Sequence, residues 1–173
     1  YCLFTHVEGT GGVMFNGQGM NFYGNVFYRP TGDTWESGNG LVGGWTGASG
    51  EVMKDYLVYN NSFINVNTTV LTTLPQTYSG CAAWNNIFYN CSTPSFAKFT
   101  SHNYNHFINS GGTSGEANGT SATSGDPFVD YVNLDFRLKA ATAAGSNLGA
   151  PFNVDPFGRT RGSDGVWDRG AYE

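Results

Sequence analysis

The chain has 173 residues, enough for one domain with a core of its own. Its net charge is −5 and charged residues make up only 12% of it, with eight Lys and Arg in all, which excludes a nucleic-acid binder that needs clustered cations. No apolar run approaches the roughly 18 residues of a membrane-spanning helix, and 25 glycines with 16% aromatics point to a turn-rich all-β chain rather than a helical bundle or a disordered acidic one.

In chain order, residues 1–19 carry a strand-like stretch from Cys2 to Val7, a Gly-rich turn and Val13-Met14-Phe15, which read as one or two incomplete coils. The start at Tyr1, with neither Met nor signal peptide, reads as a processed product or the C-terminal portion of something longer. A phrase then appears at Tyr23-Gly24-Asn25-Val26-Phe27: aromatic, spacer, Asn, spacer, Phe. An insertion at 30–50 follows, holding Trp35 and Trp45; loops of that length are uncommon without a purpose. The phrase returns at Tyr59-Asn60-Asn61-Ser62-Phe63 and Trp84-Asn85-Asn86-Ile87-Phe88. A fourth copy, Asn103-Tyr104-Asn105-His106-Phe107, puts Asn where the aromatic was. The last three copies add Asn65, Asn90 and Asn109. Successive central Asn residues lie 36, 25 and 19 residues apart, and such self-similarity marks a stacked-repeat architecture. Residues 111–125, rich in Gly, Ser and Thr, read as an exposed mobile loop. Residues 127–138 read as the last coil, and Leu138 to Ala144 as one or two helical turns ended by Gly145.

Strand alternation places the aromatic, the Asn and the Phe of each copy on one face. A buried amide between aromatics needs partners, and a stack supplies them if each coil lays its Asn over the one below at the roughly 4.8 Å strand spacing. Asn25, Asn61, Asn86 and Asn105 are therefore expected to form one ladder, with Phe27, Phe63, Phe88 and Phe107 as a ring ladder beside it. On this reading Tyr59 and Trp84 belong to the core.

The repeated phrase resembles right-handed parallel β-helix proteins of the pectate-lyase-like superfamily, in which inward Asn ladders mark one bend of each coil. The C-terminal stretch carries a second resemblance. Asp126-Pro127-Phe128-Val129-Asp130 and Asn133-Leu134-Asp135-Phe136-Arg137-Leu138 look like the closing segment of secreted bacterial β-helix proteins. Their ending is matched by Asp155, Gly158, Arg161, Asp164, Gly165, Asp168, Gly170, Ala171 and Glu173, with Arg169 where that group often has an apolar residue. The resemblance covers about residues 20–173. It implies an all-β, right-handed parallel β-helix of about six coils over 1–138, closed by a capping segment at 139–173 that folds across the bottom edge. It implies an extracellular or cell-surface setting, and leaves activity open because this fold hosts many functions.

Polysaccharides usually lie along the outside of such a fold, so Trp35 and Trp45, outside the repeat register, are the glycan-stacking candidates. A uronate lyase of this superfamily needs a Lys or Arg base and often Ca²⁺. Lys54 and Arg29 are the base candidates, and Asp33, Glu36, Glu51 and Asp55 the carboxylates that would hold the ion. His102 and His106 read as stacked polar residues, and the tail carboxylates, interleaved with arginines, as a salt-bridged cap rather than a metal site. Cys2, Cys81 and Cys91 allow one disulfide with a free thiol, or three buried thiols. The leading expectation is a module that binds polysaccharide or cell-surface glycan, or builds a surface structure, without a catalytic site. Its alternatives are the C-terminal part of a Ca²⁺-dependent polysaccharide lyase, and a subunit that stacks head to tail into filaments through an open N-terminal coil.

Overall fold

The computed structural model describes residues 1–5, 13–15, 18–33, 41–44, 52–71, 77–92, 94–111 and 115–173. The strands in chain order are β1 (Leu3–Phe4), β2 (Val13–Phe15), β3 (Asn21–Tyr23), β4 (Val26–Tyr28), β5 (Val42–Gly44), β6 (Val52–Lys54), β7 (Leu57–Tyr59) and β8 (Ser62–Ile64). They continue as β9 (Thr77–Ser79), β10 (Ala82–Trp84), β11 (Ile87–Tyr89), β12 (Ser101–Asn103), β13 (His106–Ile108), β14 (Thr120–Ala122), β15 (Phe128–Asp130) and β16 (Asp135–Leu138). Among the described residues there is no α-helix, only a 3₁₀ turn at Tyr131–Asn133. The protein is mostly β with parallel sheets.

Strands β1 to β14 pair in parallel, each with a counterpart in a neighbouring repeat. Six strands stack in the order β1-β4-β8-β11-β13-β14, four in the order β12-β10-β7-β3, and β2–β5 and β6–β9 form further pairs. The register follows the repeated phrase: Phe27 pairs with Phe63, Phe63 with Phe88, and Phe88 with Phe107.

Single left-handed residues turn the chain from one sheet to the next. Between the four-stranded and six-stranded sheets they are Gly24, Asn60, Asn85 and Tyr104, with φ of 67°, 52°, 57° and 55°. Asn65, Asn90 and Asn109 make the following turn at φ 58°, 53° and 44°. Gly and Asn adopt this conformation at low cost, which is why the repeat is written with them. The turn also breaks strand alternation. Val58 points inward with Phe22 and Ala83, so Tyr59 and Trp84 point outward and are half-buried, contrary to the core placement expected from an unbroken strand.

The central Asn residues form a continuous hydrogen-bonded ladder. Asn61 Oδ1 accepts the backbone N–H and the Nδ2 of Asn25, at 3.0 and 3.1 Å. Asn86 Oδ1 takes the same pair from Asn61 at 3.0 and 3.1 Å, and Asn105 Oδ1 from Asn86 at 2.9 and 2.9 Å. The Nδ2 groups of Asn61, Asn86 and Asn105 also donate to the carbonyls of Phe22, Val58 and Ala83 at 3.0, 2.8 and 2.9 Å. Cys2 N–H opens the ladder on Asn25 Oδ1 at 2.9 Å, and Glu116 closes it. The Glu116 carboxylate accepts Asn105 N–H at 2.9 Å and Asn105 Nδ2 at 2.6 Å. All the side-chain amides point the same way, so their dipoles add and a negative charge stands at the donor end.

Phe4, Phe27, Phe63, Phe88 and Phe107 stack beside it, with ring centroids 4.5, 5.2, 5.1 and 5.3 Å apart and planes within 17°. This inner core also buries Cys81 and Cys91. All three cysteines are free thiols, and Cys2 is exposed, so neither a disulfide nor a third buried thiol is present. Burial pushes the Cys91 thiol up to about 12, leaving it a small hydrophobe.

A second core lies on the outer face of the six-stranded sheet. Val26, Tyr28, Ile64, Ile87, Tyr89 and Ile108 pack there against Phe128, Phe136 and Ala171 of the C-terminal segment. Both faces of this sheet are therefore covered, as parallel sheets require. The C-terminal segment runs along the side of the stack, from Tyr1 to the last repeat. Tyr1 Oη donates to Val154 O at 2.5 Å, Trp167 Nε1 to Asn60 Oδ1 at 3.3 Å, and Asn85 Nδ2 to Ser146 O at 2.7 Å. Gly170, at φ 94°, lies so close to the sheet that a Cβ there would stand 2.7 Å from Ile87 Cδ1. The tail carboxylates mainly accept backbone N–H groups: Asp155 takes those of Phe157, Arg159 and Glu173.

Three segments depart from the sequence reading. Residues 120–122, expected in a mobile loop, form β14 and extend the six-stranded sheet. Residues 127–138 form the antiparallel hairpin β15–β16 instead of a parallel coil, because the left-handed Leu134 (φ 66°) reverses the chain. Residues 139–144 are irregular where helical turns were expected, and the Thr142 N–H is bonded to Asp168 rather than within a helix.

The ladder sets an expected mutational cost. Asn61→Ala leaves the N–H of the buried Asn25 and one of its two Nδ2 hydrogens unpaired, the other staying on Tyr23 O, and should destabilise the fold by about 2–3 kcal/mol. Asn67→Ala, at an exposed position, should stay within about 0.5 kcal/mol in the same urea titration.

Candidate functional site

The outward face of the four-stranded sheet is built from two rows. One is Asn21, Leu57, Ala82 and Ser101; the other is Tyr23, Tyr59, Trp84 and Asn103. None of the eight is charged. Adjacent aromatics stand one strand apart, roughly 4.8 Å, close to the length of a pyranose unit. Trp84 Nε1 donates to Ser101 Oγ at 2.9 Å, and the Trp84 ring lies 5.7 Å from that of Tyr104 at 34°. Trp84, Asn103 and Tyr104 are half-buried. Asn103 Oδ1 accepts the N–H groups of Tyr104 and Asn118, each at 2.9 Å. Tyr104 in turn lies under the Arg169 guanidinium, 5.9 Å away. A fixed indole beside hydroxyl and amide groups presents an apolar ring face with polar neighbours.

At the other end of the same row, Phe152 stands edge-on to both Tyr23 and Tyr59, with centroids 5.0 Å away in each case. Burial raises the Tyr59 phenol above its ordinary range.

Of the residues chosen for lyase chemistry, Lys54, Asp55, Arg29 and Asp33 lie among the described residues. Lys54 is exposed at the end of β6, and Asp55 follows at a left-handed turn with its N–H on Ser79 O at 3.0 Å. Arg29 lies beyond β4, where its Nε donates to Asn65 O at 2.6 Å and its Nη1 to Asp33 O at 2.5 Å. It contacts the carbonyl of Asp33 there and lies on a different sheet from Lys54. Trp35, Trp45, Glu36 and Glu51 lie outside the described residues. Among the described residues no group of three or more His, Cys, Asp or Glu is placed to hold a metal ion.

A cluster the sequence reading passed over closes the stack beside Trp84 and Tyr104. Glu116, its side chain fully buried, also meets His102 Nδ1 at 3.3 Å. Arg169 donates to Asn105 O, Thr120 Oγ1, Asn118 O and Ala144 O at 3.2, 2.7, 3.0 and 2.8 Å. His106 Nδ1 bonds Thr120 Oγ1. These contacts are the clamp between the last coils and the tail. A signal for it existed: Glu116 is the only charged residue within 111–125.

No protein family model matches the chain, and neither curated proteins nor solved structures give a match.

The clamp carries a pH dependence. Burial first, and the Arg169 charge second, lower the His106 imidazole to about 4 from an ordinary value near 6.5. The unfolded chain therefore binds this proton more readily than the folded one. The stability due to neutral His106 is complete above pH 6.5 and is lost as pH falls from 6.5 towards 4. Melting temperature should fall across this window more steeply in the wild type than in His106→Gln, measured by circular dichroism.

Proposed function

We propose that this chain is an extracellular or cell-surface module, a right-handed parallel β-helix of the pectate-lyase-like kind, that binds an uncharged glycan on its four-stranded face. The fold reading is supported by parallel pairing at each repeat, by single-residue left-handed turns and by the stacked Asn and Phe ladders. The glycan reading rests on one observation: a half-buried Trp84, held by Ser101 and flanked by Tyr104, in a row of outward aromatics on a face whose eight outward positions are uncharged. A flat apolar ring fits the C–H face of a sugar, and nearby amides and hydroxyls fit its hydroxyl groups. The absence of charge among the eight outward positions, with a chain net charge of −5, favours neutral over uronate polymers. The reading assigns binding and commits Lys54 and Arg29 to no catalytic role.

The test is calorimetric titration with neutral hexasaccharides (cellohexaose, xylohexaose, mannohexaose) and with hexagalacturonate. The neutral sugars should bind, Trp84→Ala should weaken that binding about tenfold or more, and Lys54→Ala should leave it unchanged. Preference for hexagalacturonate that depends on Lys54 and ignores Trp84 would overturn the reading.

A further inference from the structure

The outward aromatic row has three rings, yet the C-terminal segment reaches over only two of them. Elsewhere that segment docks on the six-stranded sheet, and on the turn leading into it through Asn60 and Asn85. At residue 152 it steps onto the four-stranded face and places a ring there. Phe152 is 7% exposed and meets Tyr23 and Tyr59 at interplanar angles of 84° and 75°. Its backbone is held at that ring and just after it: Asn60 Nδ2 donates to Phe152 O at 3.3 Å, and Tyr1 Oη to Val154 O. Trp84, the third ring of the row, has Tyr104 as its ring neighbour and is left half-buried.

We propose that Phe152 is a tethered ring occupying the Tyr23–Tyr59 stretch of the row, so that a glycan reaches only the Trp84 end; this rests on the glycan-binding reading above. The eight outward positions are uncharged, and the tethered ring sets the Tyr23–Tyr59 stretch apart from the Trp84 end. The consequence is a limit on ligand length. A bound chain running along the row contacts the Trp84–Tyr104 end with one or two units, and further units meet Phe152 instead of tyrosine faces. Affinity in the wild type should therefore level off at the disaccharide.

The experiment is a calorimetric series of cello-oligosaccharides from two to six units on the full chain, comparing wild type, Phe152→Ala and the double variant Phe152→Ala/Tyr59→Ala. Wild-type affinity should be flat with length. Phe152→Ala should bind the hexasaccharide roughly tenfold tighter than the disaccharide, and the double variant should lose that gain. Should Phe152→Ala fail to fold, ring-proton NMR on the wild type decides the matter. Cellohexaose should shift the Trp84 indole resonances and leave those of Tyr23 and Tyr59 in place. Wild-type affinity that climbs with length, or tyrosine shifts matching those of Trp84, would overturn the inference. So would Trp84-dependent binding with no gain in Phe152→Ala, an outcome that leaves the glycan reading standing. Binding by neither protein would remove both.

Discussion

The structure depends on one interaction: the paired hydrogen bonds that the side-chain oxygens of Asn61, Asn86 and Asn105 each accept from the Asn one repeat earlier. A buried amide is tolerated only when its donors and acceptor are satisfied, and here the partner is another copy of itself. The bonds hold adjacent coils at strand spacing and in fixed register, because a slip by one residue would leave several buried amides unpaired. The Phe column follows from that register, since each Phe sits two residues after its Asn and is carried into line by it. Glu116 ends the series by offering two acceptor oxygens where a further Asn would offer one.

The residue before each ladder Asn has a different task. Asn60 and Asn85 adopt the left-handed conformation that turns the chain, and their amides face away from the ladder towards the tail. Of the Asn-Asn pair, one member thus joins coil to coil and the other joins the coils to the C-terminal segment. This division decides which surfaces remain for binding. The six-stranded sheet is covered on both sides, whereas the four-stranded sheet keeps a partly open outer face at Trp84.

Much of this was legible in the sequence because a repeat states the same physical requirement several times. The ladder residues Asn25, Asn61, Asn86 and Asn105 and the rings beside them could be chosen from spacing alone. The facing of Tyr59 and Trp84 could not, because alternation assumes an extended backbone and the left-handed turn after each of them resets it. A clue was present in Val26-Phe27-Tyr28 and Ile87-Phe88-Tyr89: three successive apolar residues mean a strand buried on both faces, hence an outer cover. Phe152 and Arg169 were not legible as site neighbours, since their partners lie about 90 and 50–65 residues away across the fold. Lys54 ends β6 and Arg29 follows β4, so the two lie on different elements, a placement that spacing along the chain does not specify.

Native-state hydrogen exchange followed by NMR tests the ladder most directly. The backbone N–H groups of Asn25, Asn61 and Asn86 donate to side-chain oxygens rather than to a strand, so ordinary sheet pairing does not protect them. If the ladder holds the stack, these amides and the Asn Nδ2 protons exchange only through global unfolding, as slowly as the amides of Phe63 and Phe88. Exchange at the rate of exposed turn amides, while the Phe strands stay protected, would show that the coils are held by the ring column and strand pairing without the ladder.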